Sequence, residues 1–449
     1  MHIVVVGYGT AGLTAASYAR LINRQARITV FEKRRYAIYH PCSLPDVIAG
    51  VIPAERLVEE AVNLPNLDVR TATIIEEVDT ASRKVYARNL RNGEKVNFEY
   101  DALVLATGSR PFIPRNIRIE DSRGIYTLRT IEDSKLIVEA ASRHGSAVVV
   151  GGSALGIEAA HALRKRGIKV TLIEYALKLL PGKLDEEIAK IVEDHLRGEG
   201  VEIILGDGVS EITGAEGSKR LTTNSGKVVE TGFVVMATGV KPENELALQM
   251  GLKIGVTGGV IVDEKMRTNI ENVYAAGDVA EVKDIVTGKP VLSPFASTAL
   301  IMGRIAGINA AGGEAKLKGV LQNWIVNLDG FKFGAVGVTE EVARQSGFET
   351  VSVTVSTQDK PSFYPDSASV TLKLIIEANE GRLLGAQVAG FGNLVEKLNV
   401  ISTIVTHGLK VYDIPYLEFA YTPSLNELVH PLYVAADAAL RKITRRHTR

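Results

Sequence analysis

The sequence predicts an α/β fold in which two similar units, each built on parallel strands, precede a mixed α/β domain. Residues 2–32 follow the order strand, glycine turn, helix and strand, and they end in an acidic residue. The same order recurs 144 residues later, counted from Gly7 to Gly151. After about residue 315, strand-like runs dominate and no such glycine turn is present. Strands that alternate with helices are typical of a parallel sheet, so we expect one such sheet in each unit.

The composition excludes several classes of protein. The 449-residue chain has 52 basic and 52 acidic residues, so we expect neither nucleic acid nor a membrane as a partner. The first apolar run, residues 3–6, is too short for a signal peptide or a membrane span, which favours a cytoplasmic location. The single cysteine, Cys42, permits neither a disulfide scaffold nor a four-cysteine metal site, and we expect no metal.

The first glycine turn predicts a dinucleotide site. Gly7, Gly9 and Gly12 form a G-x-G-x-x-G turn between a β-branched run and a helical pattern. Glycines let the backbone approach a pyrophosphate at the helix N-terminus, where free N–H groups and the helix dipole favour negative charge. Glu32 follows Gly12 by 20 residues and is placed to accept hydrogen bonds from a ribose.

The second glycine turn predicts another dinucleotide, and its acidic residue selects between two of them. Ser153 replaces the middle glycine, although its backbone and hydroxyl can still donate to a phosphate. Glu174 ends the second strand of this unit, and no arginine follows it directly. A carboxylate there binds a ribose 2′-hydroxyl and repels a 2′-phosphate, so NADH is favoured over NADPH.

Further segments support a duplication with the second unit inserted into the first. Residues 101–108 match residues 233–239, each a buried strand that stops at a glycine. A strand that ends in Gly277 and Asp278 offers a carboxylate to a ribityl chain or a flavin phosphate. We therefore divide the chain into a flavin-binding domain (1–112 and 244–318), an NAD(H)-binding domain (113–243) and a dimerisation domain (319–449), the first two Rossmann-like.

With these units, residues 1–440 resemble the pyridine nucleotide–disulfide oxidoreductases. Cys42 stands about 30 residues after the first turn, in a C-x-x-P context. That context is similar to the single-cysteine branch, which comprises coenzyme A-disulfide reductases, NADH oxidases, NADH peroxidases and NADH-dependent persulfide or polysulfide reductases. The resemblance implies FAD in the first unit, NADH in the second and a homodimer. We expect a helix N-terminus and the flavin face to lower the pKa of the Cys42 thiol.

The resemblance also separates the members of that branch. Oxidases and peroxidases have a histidine in the first glycine turn, where this chain has Thr10, and two-cysteine reductases have a histidine where it has Thr422. Coenzyme A-disulfide reductases use two tyrosines of the last domain, and Tyr364 and Tyr421 match them in context. A phenol can protonate a leaving thiolate.

The chain departs from its relatives around the cysteine and at the flavin. Ile38, Pro41 and Ser43 replace a serine, an asparagine and a glycine, and the neighbouring His40 could tune the thiol. Ala154 replaces an aromatic residue that covers the flavin in relatives.

Two further sets of residues complete the predicted site. Glu158 matches a glutamate near the nicotinamide, while Arg20 and Arg24, at i and i+4 on the first helix, could bind the phosphates of coenzyme A. The residues predicted to bind the two cofactors are Gly7, Gly9, Thr10, Ala11, Gly12, Glu32, Lys33, Ser43, Ile75, Ala106, Thr107, Gly108, Arg129, Gly277, Asp278, Ser297, Thr298, Gly152, Ser153, Ala154, Leu155, Glu158, Glu174 and Gly239.

These observations lead to one main hypothesis and two alternatives. The main one is NAD(P)H-driven, FAD-dependent reduction of a small disulfide or persulfide, above all coenzyme A disulfide, through a mixed disulfide on Cys42. The first alternative is an NADH oxidase that reduces oxygen through a cysteine sulfenate. The second is an electron-transfer reductase for rubredoxin or ferredoxin, in which the cysteine is incidental. The basic run at residues 441–446 is predicted to be a solvated tail.

Overall fold

The structure, a computed structural model, describes residues 1–62 and 65–447. The elements of the first part of the chain are β1 His2–Val6, α1 Thr10–Ile22, β2 Arg27–Phe31, β3 Ile38–Tyr39, α2 Leu44–Ala49, β4 Val58–Glu59, β5 Leu67–Arg70, β6 Thr73–Asp79, β7 Lys84–Asn89, β8 Lys95–Glu99, β9 Ala102–Leu105 and β10 Ser109–Pro111. A 3₁₀ turn, Pro41–Ser43, leads directly into α2.

The second part of the chain repeats this design. Its elements are β11 Arg118–Ile119, β12 Ile125–Thr127, α3 Ile131–Arg143, β13 Ser146–Val150, α4 Ala154–Lys165, β14 Lys169–Ile173, α5 Glu186–Gly198, β15 Glu202–Ile204, β16 Val209–Thr213, β17 Lys219–Thr223, β18 Val228–Thr231, β19 Phe233–Met236 and β20 Val240–Pro242. Each part also holds a three-stranded antiparallel run, β6-β7-β8 in the first and β16-β17-β18 in the second. The duplication inferred from the glycine turns therefore extends to these strands.

The third part returns to the first sheet. Its elements are α6 Glu245–Gln249, β21 Val260–Ile261, β22 Val273–Ala275, β23 Ala280–Lys283, β24 Pro290–Val291 and α7 Ala296–Ala310. Strand β22 completes the parallel sheet β22-β9-β1-β2-β5, whereas the second part forms its own parallel sheet, β12-β19-β13-β14-β15. The second unit is thus inserted between two strands of the first, and the pair β10-β20 lies at the crossing. The domain boundaries stay predictions.

Helices α1 and α7 pack closely because α7 carries two glycines on the facing side. A Cβ at Gly303 would overlap the carbonyl oxygen of Ala11, and a Cβ at Gly307 would overlap that of Ala15. All five buried residues of α1 are glycine or alanine, and they include Ala11 and Ala15. This contact sets the position of α7 relative to the first glycine turn.

The last part is a five-stranded antiparallel sheet, β25-β26-β29-β28-β27, covered by helices. Its elements are β25 Trp324–Leu328, β26 Phe331–Gly337, α8 Glu340–Gln345, β27 Thr350–Gln358, β28 Ser369–Glu377, β29 Leu383–Gly390, α9 Leu394–Thr406 and α10 Pro431–His447. The predicted α/β fold class, with two parallel sheets and a mixed terminal domain, is confirmed.

The prediction of a solvated tail is wrong. Residues 441–446 belong to α10, where Ile443 is 2% exposed and packs in the core of the last domain. Lys442 Nζ donates to the Ser352 carbonyl at 2.9 Å, and Arg446 pairs with Glu349 at 2.8 Å. The basic residues lie on the outer face of α10, and Ile443 lies on its inner face because the helix packs on the last domain. No helix among residues 1–62 and 65–447 is long and apolar enough to cross a membrane.

Candidate active site

The first glycine turn is shaped to receive a phosphate. Gly7 has φ +97°, and a Cβ there would overlap the Ala106 carbonyl, whereas a Cβ at Gly9 would meet nothing within 4 Å. A Cβ at Gly12 would overlap the Gly7 carbonyl, so strand and helix approach closely. The first hydrogen bond of α1 runs from Leu13 N to Gly9 O at 2.9 Å. The preceding amides remain available to an anion at the helix N-terminus, which fits the pyrophosphate of FAD.

Glu32 lies beside this turn as an ionised carboxylate. It is 4% exposed and accepts a hydrogen bond from Tyr8 N at 2.8 Å. Arg34 Nη2 lies 2.7 Å from its Oε2. Burial alone would raise the pKa of Glu32, but the hydrogen bonds and charge of Arg34 outweigh burial and lower it. Its Oε1 also accepts from Arg34 N at 2.9 Å and Nε at 2.8 Å, so all of the about four acceptor sites of the carboxylate are taken, and the ribose that the sequence predicts would have to displace Arg34.

Asp278 lies where β22 ends, and the fold brings two other side chains to it. Its Oδ2 accepts from Ser109 Oγ at 2.7 Å and from Arg129 Nη2 at 3.2 Å. Gly277 has φ +79°, and a Cβ there would lie 2.9 Å from the Cβ of Ala11, so this turn lies close to the N-terminal turn of α1. Sequence reasoning missed Ser109, although it directly follows Gly108, the glycine of the turn between β9 and β10.

Cys42 lies in the 3₁₀ turn before α2, and its residue is exposed. Helix α2 packs on α4 of the second unit, and Arg166 at the end of α4 donates to the carbonyl oxygens of Val47 and Ile48. The residue before the turn, His40, pairs with Glu59 at 2.8 Å. This ion pair holds His40 at Glu59, and a role for His40 at the Cys42 thiol stays a prediction.

The expected low pKa of the Cys42 thiol is not produced by the chain itself. Although the residue has an exposed surface, desolvation by the surrounding protein raises the pKa of Cys42. The Glu158 carboxylate raises it further, Arg129 lowers it and Asp278 raises it. Burial in turn raises the pKa of Glu158 to about 7, and the charge of Asp46 adds to that rise. Among the described residues, the Glu158 carboxyl has no hydrogen bond or ion pair. Its charge state is therefore set mainly by burial and by neighbouring charges.

The second glycine turn differs in detail from the prediction. Gly151 has φ +110°, and Gly152 N donates to Glu174 Oε2 at 2.5 Å. The Ser153 hydroxyl donates to the Ala237 carbonyl at 2.9 Å, so the expectation that this hydroxyl binds a phosphate is wrong. The backbone amides that open α4 remain, and they fit a pyrophosphate.

Among the four residues that directly follow Glu174, the one cation, Lys178, is already paired. Its Oε1 accepts from Ala176 N at 2.8 Å. Tyr175 and Leu177 are exposed, and Lys178 pairs with Glu341 at 3.5 Å. This arrangement is compatible with a ribose 2′-hydroxyl and offers nothing to a 2′-phosphate.

The two predicted tyrosines lie in separate loops of the last domain that are tied together. Asp359 N donates to Ala368 O at 2.9 Å, and Glu427 N donates to Asp359 O at 3.1 Å. These bonds join the loop of Tyr364 to the loop of Tyr421. Within the described part of one chain, neither phenol oxygen has a hydrogen bond, and neither is brought to Cys42. Their predicted role therefore needs a second copy of the chain.

The two predicted arginines do not share a helix. Helix α1 ends at Ile22, so Arg24 lies beyond it, and that part of the prediction is wrong. Arg20 remains on the last turn, and its Nη1 lies 3.4 Å from the carbonyl of Asn23. The helix would have to continue two residues further, about half a turn, to bring both arginines onto one face.

The N-terminus of α7 borders a cavity of about 560 Å³. Its walls include the predicted Ser297 and Thr298, and also Gln322 and Trp324 of the last domain, which sequence reasoning missed. The first bond of α7 runs from Ala299 N to Phe295 O, so the amides before it are free to donate. The volume lies in the range of small-molecule and cofactor sites.

The other predicted cofactor residues lie at strand and helix ends. Lys33 follows β2, Ser43 closes the 3₁₀ turn of Cys42, Ile75 is buried in β6, Ala106, Thr107 and Gly108 follow β9, Ala154 and Leu155 open α4, and Gly239 follows β19 at φ +108°. The Thr107 hydroxyl donates to the Glu243 carbonyl at 2.7 Å, which leaves its backbone for a ligand.

The fold and the site define an oxidoreductase with two dinucleotide-binding units. The chain belongs to the pyridine nucleotide-disulphide oxidoreductase family: the family model matches residues 1–315, and the model of the family's dimerisation domain matches residues 328–433. It is an FAD- and NAD(P)H-dependent oxidoreductase, as the sequence predicted.

Its relatives span the full length of the chain. It is 34% identical over 451 residues to the NADH oxidase of Methanocaldococcus jannaschii, an alignment that covers 99% of this chain and 100% of the relative. It is 34% identical over 440 residues to the CoA-dependent NAD(P)H sulfur oxidoreductase of Pyrococcus furiosus, covering 97% and 98%. Among solved structures, an NAD-dependent persulfide reductase from A. fulgidus matches with a TM-score of 0.94 at 36% identity, over 99% of this chain and 84% of that chain.

Proposed function

We propose that this protein uses NADH to reduce a small disulfide or persulfide, with coenzyme A as the thiol, through Cys42. The observation that carries the proposal is the exposed Cys42 thiol, which lies within the electrostatic reach of Asp278 and Arg129 of the first unit and Glu158 of the second. FAD supplies two-electron transfer between NADH and a sulfur atom when it is bound. The relatives that are named for sulfur and persulfide reduction support this acceptor class.

The chain's own residues carry the sulfur chemistry. The Cys42 thiolate attacks one sulfur of the substrate, a Cys42–S bond forms, and the substrate S–S bond breaks. The departing thiolate takes a proton from Tyr421 or Tyr364 of the second copy. Two electrons from NADH then break the mixed disulfide, and the bound thiol leaves with a proton from water. Each turnover consumes one NADH and one proton and releases two thiols, or one thiol and sulfide from a persulfide.

The proposed binding residues are those at the two glycine turns. The amides that open α1, with Glu32 and Asp278, would hold the adenosine, pyrophosphate and ribityl parts of FAD. The amides that open α4, with Glu174, would hold NADH in preference to NADPH. Arg20 would contribute to the phosphates of coenzyme A.

We also propose a homodimer. The last domain matches a dimerisation domain, and large apolar side chains are exposed on it and on α7. They are Leu300, Ile301, Val395, Tyr416, Leu425, Leu428 and Val429, exposed from 44% to 89%. An apolar surface of this kind is typical of subunit interfaces. A dimer would also bring Tyr364 and Tyr421 to a thiol that they do not reach in one chain.

A second candidate is an NADH oxidase. Ala154 supports it, because a small side chain leaves the nicotinamide face of the flavin open to oxygen in the absence of NADH. The relative from Methanocaldococcus jannaschii bears that name. Thr10 weighs against it, since the histidine of oxidases and peroxidases is missing from the first turn.

Cys42→Ser tests the proposal. We expect loss of NADH oxidation with coenzyme A disulfide or coenzyme A persulfide, while an artificial dye still accepts electrons, because the dye needs the cofactors and not the thiol. Mass spectrometry of the wild-type protein should find coenzyme A on Cys42, whereas one added oxygen atom favours the oxidase. Disulfide reduction that persists in Cys42→Ser overturns the proposal in favour of electron transfer to a carrier protein.

A further inference from the structure

Lys183 contacts all three parts of the molecule. It belongs to the loop between β14 and α5 of the second unit. Its Nζ donates to Gln322 Oε1 of the last part at 2.6 Å and lies 5.5 Å from the ring centroid of Phe295, which caps α7. Burial lowers the pKa of Lys183, and the charge of Asp284 only partly offsets it. A desolvated cation with one neutral hydrogen-bond partner is costly to keep, so its position calls for an explanation.

The partner residue is itself strained. Gln322 has φ +54°, a left-handed conformation that non-glycine residues adopt only when the surroundings hold them there. Its side chain borders both the cavity of about 560 Å³ at α7 and a second cavity of about 370 Å³, which Lys183 also lines. Gln322 is thus part of the wall between them.

On one side, Lys183 is tied to the second glycine turn. Leu180 N donates to Gly152 O at 2.9 Å, and Lys183 N donates to Leu180 O at 2.9 Å. A Cβ at Gly152 would lie 2.6 Å from the side chain of Leu179, so the same loop covers the turn. Any shift of Lys183 is therefore passed to the backbone proposed to hold NADH.

On the other side, Lys183 reaches the flavin end of the first unit. Phe295 precedes the free amides of α7, beside the proposed flavin contacts Ser297 and Thr298. The Lys183 side chain therefore links the backbone proposed to hold NADH to the wall of the cavity proposed for the flavin.

We propose that Lys183 is a positioning residue for hydride transfer: through Gln322 and Phe295 it sets the approach of the NADH turn to the flavin cavity. This inference rests on the proposed placement of FAD and NADH. Rates of transfer between two bound groups fall about a hundredfold for a displacement of roughly 1 Å, so a local contact of this kind has a large effect.

Other contacts already hold the second unit on the last domain. Lys165 pairs with Asp329 at 2.6 Å, and the buried Lys373 lies 3.0 Å from Asp185. Loss of Lys183 should therefore leave the domains docked and change only the local approach. Lys165→Met is the matched control, because it removes a lysine that bridges the same two domains away from the cavity.

The experiment measures flavin reduction by NADH in rapid anaerobic mixing, with holoenzyme and no disulfide. In Lys183→Met we expect the limiting rate to fall about tenfold or more, while the dissociation constant of NAD⁺, measured separately by titration of the flavin absorbance, changes less than about threefold. Lys183→Arg should restore most of the rate, because it can still donate to Gln322. Lys165→Met should match the wild type in both quantities.

Gln322→Asn provides a second route if Lys183→Met does not fold. Asparagine tolerates a positive φ and is one methylene shorter, so it breaks the contact without new strain. The inference is overturned if the rates of flavin reduction are unchanged in the variants, or if the loss lies wholly in the affinity for NAD⁺. An equal loss of rate in Lys165→Met also overturns it.

The outcome is separate from that of the proposed function. Flavin reduction by NADH uses no disulfide, so the result of this assay does not depend on the acceptor proposed for Cys42. A normal reductive step with no disulfide turnover counts against the proposed acceptor alone, whereas a normal reductive step in Lys183→Met counts against the positioning role alone.

Discussion

Glu158→Gln should change both the stability of the protein and the reactivity of Cys42. Burial raises the pKa of Glu158 from 4.5 to about 7. The native state therefore binds an extra proton between these values, and stability falls as the pH rises through them. A shift of this size corresponds to about 3 kcal/mol, of which about 2 kcal/mol is lost between roughly pH 5.5 and 8. The glutamine variant carries no such proton, so it should lack this part of the pH dependence.

The assay compares urea unfolding of the two proteins across that pH range, with the exposed Glu186→Gln as control. The free energy of unfolding of Glu158→Gln, relative to wild type, should rise by about 2 kcal/mol from acid to alkaline pH. Because the Glu158 charge raises the pKa of Cys42, alkylation of the thiol near neutral pH should also be faster in the variant. A flat difference across pH, or slower alkylation, would refute the reasoning.

Three other perturbations have expected outcomes. Lys373→Met removes a side chain that is 2% exposed and pairs with three carboxylates, so it should cost about 3–5 kcal/mol of stability in thermal unfolding, unlike Lys332→Met at a more exposed site. Glu174→Ala combined with Tyr175→Arg should raise kcat/KM for NADPH about tenfold or more relative to NADH, since a repelling charge is replaced by an arginine. Arg20→Ser should raise KM for coenzyme A disulfide about fivefold and leave KM for cystine unchanged, because only the former carries phosphates.

Each of these has a result that would contradict it. Equal melting temperatures for the two lysine variants would mean that the buried ion pairs are replaceable. An unchanged cofactor preference would place the adenosine ribose away from Glu174. A KM that rises equally for cystine would show that Arg20 affects the thiol site and not the phosphates.

The local sequence patterns of the chain were sufficient to predict its architecture. Glycines at Gly7 and Gly151 after β-branched runs, each followed by a helical period and an acid, predicted two parallel sheets and two nucleotide turns. Such patterns are readable because strand, turn and helix depend mostly on neighbouring residues. Cys42 stood out for the same local reason, and its C-x-x-P context was enough to place it before a helix.

Only the folded chain decided what surrounds those residues. Lys183 meets Gln322 139 positions away, Ser109 meets Asp278 169 positions away, and the Ser153 hydroxyl is taken by a carbonyl 84 positions away. Partners so distant in sequence leave no periodic signal, since they depend on how two sheets and a third domain pack together. The pKa of Cys42 follows the same rule: the sequence showed a thiol before a helix, but burial and the charge of Glu158 on another domain set its proton affinity.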